Sequence, residues 1–179
     1  MTAPILSTDR LILRPLVLED AQAIQQLAGD PRVAIWTTSF TTPFSHQQSV
    51  NWVNRAINAM QAGQAISLAI TLSESAKLIG VVNLRLPENE RPQLGYWLGV
   101  AYWGKGYCTE AVQALLRYGF RQLGLEQIHA RCYDNNVASE KVMLRCGMRK
   151  EPTAPITEEI KGLPVRLVNY SINRCDGPM

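Results

Sequence analysis

The sequence predicts an α+β protein with a mixed, mostly antiparallel central sheet flanked by helices. Helical patterns come first along the chain, then strand-like segments separated by short polar turns, and finally strands that alternate with helices. The polar turns favour antiparallel pairing, whereas the strand–helix–strand order at the end does not, so we expect one mixed sheet.

The first third of the chain predicts one strand and two helices. The apolar run Leu11–Leu16 contains a proline near its end and predicts a strand. Residues Asp20–Ala28 place apolar side chains at helical spacing behind an acidic start, which favours a helix. A second helix is predicted over Pro43–Met60, with Ser45 as its N-cap.

The remaining two thirds predict strands and helices in alternation. Two helices each end at a glycine and carry apolar side chains at helical spacing: Tyr107–Leu123 and Asn136–Cys146. Two segments rich in Ile, Val and Leu, Ala65–Thr71 and Lys77–Arg85, predict a hairpin. Four further segments are predicted strands, the last two around a proline-containing loop over Pro152–Gly162: Gln93–Val100, Ile128–Tyr133, Met148–Glu151 and Leu163–Ile172.

Length and composition predict a single domain over residues 1–179. Hydrophobic residues make up 46% of the chain, which is enough for a packed core.

The net charge is only +3 and no basic run exceeds two residues, so no nucleic-acid partner is predicted. Four scattered cysteines and two histidines predict no metal site. The absence of a long apolar segment predicts no membrane partner, and we expect a cytoplasmic protein with reduced thiols.

A glycine-rich turn between a predicted strand and a predicted helix suggests an anion site. Gly99, Gly104 and Lys105 have the spacing of a nucleotide-binding P-loop, but Gly106 replaces the hydroxyl residue that would hold magnesium. A dinucleotide fingerprint would need glycine where Thr109 stands. Free amides at a helix start still favour a phosphate, whereas the alternative is a plain turn with two glycines.

Several segments resemble the GNAT superfamily of N-acetyltransferases, in particular its ribosomal-protein N-terminal acetyltransferase branch. The segment YWGKGYCTEAV is similar to the central family motif, and three more segments agree in order: TDRLILRPLVLEDA, YDNNVASEKVMLRCGMRKE and KGLPVRLVNYSI. The resemblance implies the acyl-CoA N-acyltransferase fold. Three positions depart from the family pattern, namely Ala101, Met148 and Arg166.

The resemblance implies how acetyl-CoA, the acetyl donor, is bound. In the family, amides of the glycine turn bind the pyrophosphate, and backbone groups of the preceding strand pair with the pantetheine arm. An amide near Val100 faces the thioester oxygen, and an Asn at the next helix bonds pantetheine. The implied cofactor-binding residues are Leu98, Val100, Gly104, Lys105, Gly106, Tyr107, Cys108, Thr109 and Asn136.

The resemblance also implies two catalytic residues. Many relatives protonate the leaving thiolate with a Tyr that is replaced here by Met143, whereas the ribosomal-protein branch uses the Ser of Asn-x-x-Ser, which is Ser139. A Glu before the closing-strand glycine serves as base in that branch and corresponds to Glu158. The plainer alternatives are helix capping for Asn136 and Ser139 and a surface position for Glu158.

The predicted function is transfer of acetyl from acetyl-CoA to a primary amine by direct attack in a ternary complex. The acceptor is a peptide N-terminus or a small-molecule amine, and we expect its cleft between the early helices and the loop over Pro152–Gly162. Acidic cleft walls would favour polyamines or aminoglycosides. A non-catalytic acyl-CoA sensor and a P-loop phosphotransferase are the alternatives. Dimers occur among relatives, so a homodimer is compatible with the resemblance.

Overall fold

The computed structural model describes residues 4–178 and contains one mixed sheet. Its path runs β1-β2-β3-β4-β5-β6-β9-β7, and β8 pairs with β9 beside this path. Every neighbouring pair is antiparallel except β5 and β6, which are parallel. The strands within the described residues are β1 Leu6–Ser7, β2 Leu11–Pro15, β3 Ala65–Leu72, β4 Leu78–Arg85, β5 Gln93–Leu98, β6 Gln127–Tyr133, β7 Arg149–Lys150, β8 Ile156–Ile160 and β9 Leu163–Asn173.

The predicted α+β architecture is confirmed, with helices on both faces of the sheet. Ser45 caps its helix through a capping box with Gln48, as the sequence indicated. Across residues 4–178, no helix has the length and apolar character needed to cross a membrane. The helices are α1 Asp20–Ala28, α2 Pro31–Ala34, α3 His46–Gln61, α4 Tyr107–Arg121 and α5 Val137–Arg145.

Two sequence predictions about element boundaries were wrong. The strand predicted over Gln93–Val100 ends at Leu98, and Val100 begins a short 3₁₀ turn that leads into the glycines. The predicted loop over Pro152–Gly162 contains β8, which pairs with β9 in a hairpin that turns at Lys161 and Gly162. The sequence of β8 is too charged to show the apolar pattern of a strand. Its conformation is set by pairing with β9 instead.

The two faces of the sheet carry separate cores. Successive side chains of a strand point to opposite faces. On β5, Leu94 and Leu98 belong to the core beneath α4 and α5, whereas Trp97 packs against the core beneath α1 and α3. Each core is therefore closed by its own helices, and the sheet separates them.

The parallel pair β5–β6 is short and opens a gap in the sheet. Its register contains only Gln93 opposite His129 and Leu94 opposite Ala130. On its other edge β5 stays paired with β4 as far as Leu98. Beyond Leu94, therefore, β5 has no strand partner among the described residues on its β6 side. The Leu98 carbonyl accepts a hydrogen bond from Trp103 Nε1 at 2.8 Å, and the other backbone groups on this edge need another partner.

Candidate active site

A cleft of about 560 Å³ occupies the gap between β5 and β6. Because β5 side chains alternate, the cleft has two halves. The α4 half contains Leu94, Tyr96 and Leu98 with residues of α4 and α5. The α3 half contains Gln93 and Trp97, on the opposite face, with residues of β4 and β6 and the segment 33–40. Within one cleft, both faces of the sheet are accessible.

The start of α4 forms an anion site in the α4 half. Gly104 and Gly106 have φ values of 73° and 80°, which L-residues with a Cβ rarely adopt, and Gly106 is the N-cap. No side chain caps this helix, and its first closing hydrogen bond runs from the Glu110 N–H to the Gly106 carbonyl at 3.1 Å. The amides before Glu110 therefore have no helical acceptor, and the helix dipole favours an anion there.

Most of the predicted cofactor-binding residues meet at this site. Lys105 and Val100 are the exceptions, since neither lines the cleft. The Lys105 Nζ lies 5.9 Å from the Tyr102 ring centroid, and its carbonyl accepts a hydrogen bond from Arg10. The predicted residues that line the cleft are Leu98, Gly104, Gly106, Tyr107, Cys108, Thr109 and Asn136.

Arg10 and Glu110 hold the glycine turn in place, a role that the sequence did not reveal. The Glu110 carboxylate accepts hydrogen bonds from Thr8 Oγ1 at 2.6 Å and from Arg10 Nε at 2.8 Å. Arg10 also donates to the Lys105 carbonyl at 3.0 Å and stacks 4.6 Å above the Tyr107 ring centroid. Burial raises the pKa of Glu110, but the hydrogen bonds from Thr8 and Arg10 outweigh it and lower the pKa overall.

Two cations on α5 face the same anion site. Lys141 and Arg145 are exposed and line the cleft with Gly104 and Gly106. They stand one helical turn apart, at the i and i+4 positions that share a helix face. The spacing was available in the sequence, but nothing there indicated that α5 would lie beside the start of α4.

Ser139 lies at the centre of the cleft in contact with Tyr96, which sequence reasoning missed. The Tyr96 hydroxyl lies 2.9 Å from Ser139 Oγ and 3.0 Å from the Ser139 carbonyl. Burial raises the pKa of Tyr96 well above its ordinary value, so it keeps its proton at neutral pH. The side chain of Asn136 accepts from the Ser139 N–H at 3.1 Å and caps α5, which leaves its NH₂ group free to donate into the cleft.

The cysteines near Tyr96 are poor nucleophiles. Cys108 and Cys132 line the cleft, and Cys146 lies buried in the neighbouring core. Burial raises the pKa of Cys132 to about 11 and that of Cys146 to about 12, and burial also raises that of Cys108. Because the thiolate is the reactive form, none of the three thiols is activated at neutral pH.

The α3 half has a polar floor that carries positive charge. Arg85 and Arg131 both line it, and the Arg85 guanidinium contacts the side-chain oxygen of Gln93. The predicted base, Glu158, accepts a hydrogen bond from Arg131 at 2.5 Å and is not among the residues that line the cleft. Among residues 4–178, no Asp, Glu or His lines this cleft.

The walls of the α3 half are aromatic. The expectation that the early segment would line the cleft is met by residues 33–40 and Trp52, whereas no residue of the loop 152–162 lines it. The Trp36 and Tyr133 ring centroids lie 6.0 Å apart, with the ring planes tilted by 59°. Lys161, at the tip of the β8–β9 hairpin, instead donates to the Ala34 carbonyl at 2.7 Å and so ties the hairpin to this wall.

Comparison with known proteins assigns a family to this arrangement. The acetyltransferase (GNAT) domain matches residues 10–149. The uncharacterized N-acetyltransferase p20 of Bacillus licheniformis is 34% identical over 170 residues, which cover 93% of this chain and 94% of p20. A GNAT-family acetyltransferase from Bacillus anthracis shares the fold with a TM-score of 0.85, at 24% identity over 96% of this chain and 99% of its own. The microcin C7 self-immunity acetyltransferase MccE, solved with acetyl-CoA and AMP, matches with a TM-score of 0.79 at 24% identity and 93% coverage of both chains.

Proposed function

Since the chain belongs to the acetyltransferase (GNAT) family and acetyl-CoA is its acetyl donor, we propose that the acetyl group passes directly to a primary amine held in the α3 half of the cleft. The acceptor is a peptide N-terminus or a small-molecule amine. One observation carries the proposal: the gap between β5 and β6 joins an anion site on one face of the sheet to a separate polar pocket on the other.

In this proposal the α4 half holds acetyl-CoA. The amides between Gly104 and Thr109 bind its pyrophosphate, and Lys141 and Arg145 add charge. The open edge of β5 beyond Leu94 pairs with the amide groups of the pantetheine arm, as an added strand would. The NH₂ group of Asn136 donates to the same arm.

The thioester then lies near Ser139 and Tyr96. The amine nitrogen attacks the thioester carbon, a C–N bond forms, and collapse of the tetrahedral intermediate breaks the C–S bond and releases a thiolate. Ser139 Oγ donates a hydrogen bond to the leaving sulfur while Tyr96 donates to Ser139, a relay that the 2.9 Å contact permits. The Val100 amide, expected from the resemblance to face the oxyanion, stays a prediction.

The amine attacks in its neutral form, and its nitrogen releases one proton once the C–N bond has formed. Because no Asp, Glu or His of residues 4–178 lines the cleft, this proton leaves through water. Glu158 stays our predicted final acceptor of this proton. It lies outside the cleft lining and is paired with Arg131, so water must carry the proton to it. Replacing Glu158 by Gln tests this: a lower kcat with a displaced pH–rate profile would support the role, and an unchanged profile would exclude it.

Direct transfer is favoured over a covalent acetyl-enzyme because the cysteines of the cleft are not activated. Equilibrium isotope exchange separates the two routes. A direct route requires the amine before label can pass between CoA and acetyl-CoA, whereas an acetyl-cysteine would exchange label in its absence. No feature of the cleft favours the non-catalytic sensor, which would bind acetyl-CoA without turnover of any amine.

The first experiment is calorimetric titration with acetyl-CoA, run beside ATP with magnesium. We expect acetyl-CoA to bind and ATP with magnesium to bind no better than ATP alone. An amine screen that follows free thiol release then measures turnover. Failure to bind acetyl-CoA would refute the site, whereas binding without turnover of any peptide or small amine would refute the reaction.

A further inference from the structure

We propose that the amine acceptor carries a carboxylate group, which Arg85 and Arg131 bind on the floor of the α3 half. The inference rests on the proposed acetyl transfer and names the substrate class. The carboxylate can belong to a small aminocarboxylate or to an acidic side chain next to a peptide N-terminus, and the experiment below separates these two sources.

Strand register places both arginines on one surface. Arg85 on β4 pairs directly with Gln93 on β5, and paired residues of antiparallel strands share a face. On β6, Ala130 and Cys132 point into the core beneath α4, so Arg131 between them points to the opposite face. Both guanidinium groups therefore line the α3 half, which is the half that acetyl-CoA does not occupy in the proposal.

The charges on this floor do not balance. Arg131 has the carboxylate of Glu158 as its partner. Arg85 forms no salt bridge within residues 4–178, and its side-chain contact is to the neutral amide of Gln93. Burial and the nearby charge of Arg131 lower the pKa of Arg85, whereas the charge of Glu90 acts in the opposite direction without forming a salt bridge. Arg131 thus has a directly paired carboxylate and, among the described residues, Arg85 does not, and a bound anion would relieve the repulsion between the two guanidinium groups.

The position of the arginines limits the size of the acceptor. Arg85 lies opposite Gln93, and Tyr96, which marks the reaction centre, is three residues further along β5. At roughly 3.3 Å per strand residue, the Cα atoms of Gln93 and Tyr96 are about 10 Å apart. Because a long arginine side chain can cover part of this distance, a short aminocarboxylate or the first two residues of an acidic peptide can bridge the remainder.

The same floor opposes cationic acceptors. No carboxylate of residues 4–178 lines the cleft, so the acidic walls that polyamines or aminoglycosides would need are not found in the described part of the chain. A second ammonium group on the acceptor would approach Arg85 and Arg131, and no carboxylate of the described residues lines the cleft to offset the repulsion.

Two matched acceptor series test the proposal with the full-length protein. The small series is 4-aminobutanoate, 4-aminobutanamide and 1,4-diaminobutane, which share a three-carbon spacer and end in a carboxylate, a neutral amide and an aminomethyl cation. The peptide series is Ser-Glu-Ala-amide, Ser-Gln-Ala-amide and Ser-Lys-Ala-amide. In at least one series we expect kcat/KM for the carboxylate to exceed that for the neutral amide by about tenfold or more, and that for the cation to be lowest. The series that shows the preference identifies the source of the carboxylate.

Arg85→Gln and Arg131→Gln should each bring the ratio of carboxylate to amide close to one. Arg121→Gln, at the far end of α4, is the matched control and should keep the ratio. Equal rates across both series, or a preference that survives the Arg85→Gln, Arg131→Gln double variant, would overturn the proposal.

Measuring acceptor binding at equilibrium tests the substrate class independently of whether the protein catalyses the proposed reaction. If no amine turns over, the acceptors are titrated into the complex with CoA. Carboxylate binding that depends on Arg85 supports the substrate class even then, and its absence refutes the class while acetyl-CoA binding stays intact.

Discussion

The two halves of the cleft present different kinds of groups to a ligand. The α4 half uses the backbone: two glycines with positive φ, the free amides at the start of a helix and the open edge of β5. The α3 half uses side chains that come from β4, β6 and the segment after α1. A site built from backbone groups can bind the same ligand in proteins of different sequence. A site built from side chains changes its ligand preference when those residues are substituted.

The largest effect that we expect is on the backbone site. Gly106→Asp places a Cβ 3.4 Å from the Arg10 guanidinium, forces a strained φ and brings a carboxylate to the phosphate position. Acetyl-CoA binding should weaken by about 100-fold or more, measured by calorimetry.

Gly124→Asp is the matched control for backbone strain. Gly124 has a φ of 68°, with open space around its Cβ position, and lies after α4 rather than before it. It should lose stability without losing acetyl-CoA affinity. Equal loss of affinity in both variants would show that strain, rather than the anion site, explains the result.

The next effect concerns the boundary between the halves. Ser139→Ala should lower kcat by about 30-fold, because one hydrogen bond to a charged sulfur is lost, with little change in the KM for acetyl-CoA. Tyr96→Phe should lower kcat less, since it acts through Ser139. If Tyr96→Phe exceeds Ser139→Ala, the tyrosine rather than the serine contacts the sulfur.

A smaller effect is expected from the charged side chains that we propose contribute to acetyl-CoA affinity in the α4 half. Lys141→Gln and Arg145→Gln should each weaken acetyl-CoA binding by about three- to tenfold, and the loss should shrink at high salt. Lys105→Gln should change affinity by less than about twofold, because Lys105 does not line the cleft. A larger loss at Lys105 than at Lys141 would mean that the turn lysine reaches the phosphates.

The smallest effect concerns the support of the glycine turn. The pKa of Glu110 is lowered in the folded protein, so its carboxylate stabilises the fold above its ordinary pKa of 4.5, and this contribution is lost as the pH falls through the lowered value. Glu110→Gln should therefore lower the unfolding free energy by about 1 kcal/mol at pH 7 and by less at pH 3. Thermal unfolding of both proteins at the two pH values measures the difference, and an equal difference at both would exclude the ionised carboxylate as its source.

The features that the sequence predicted are local ones, and those that it did not predict are contacts between residues distant in the chain. The order of strands and helices and the glycine turn before α4 could be predicted because each depends on a local pattern, and the family resemblance pointed to Ser139, which lines the cleft with Gly104 and Gly106. Tyr96 was not readable as a partner of Ser139, and Arg85 was not readable as a neighbour of Arg131. The first depends on where α5 packs beside β5, and the second on the register of β4, β5 and β6, and side-chain pattern alone fixes neither.

The two-residue contact between β5 and β6 has a kinetic consequence. Because the cleft is open on both faces of the sheet, the proposed placement of acetyl-CoA in the α4 half and of the amine in the α3 half lets CoA and the acetylated product leave from opposite faces. Release then needs no fixed order, and we expect CoA to inhibit competitively with acetyl-CoA but not with the amine.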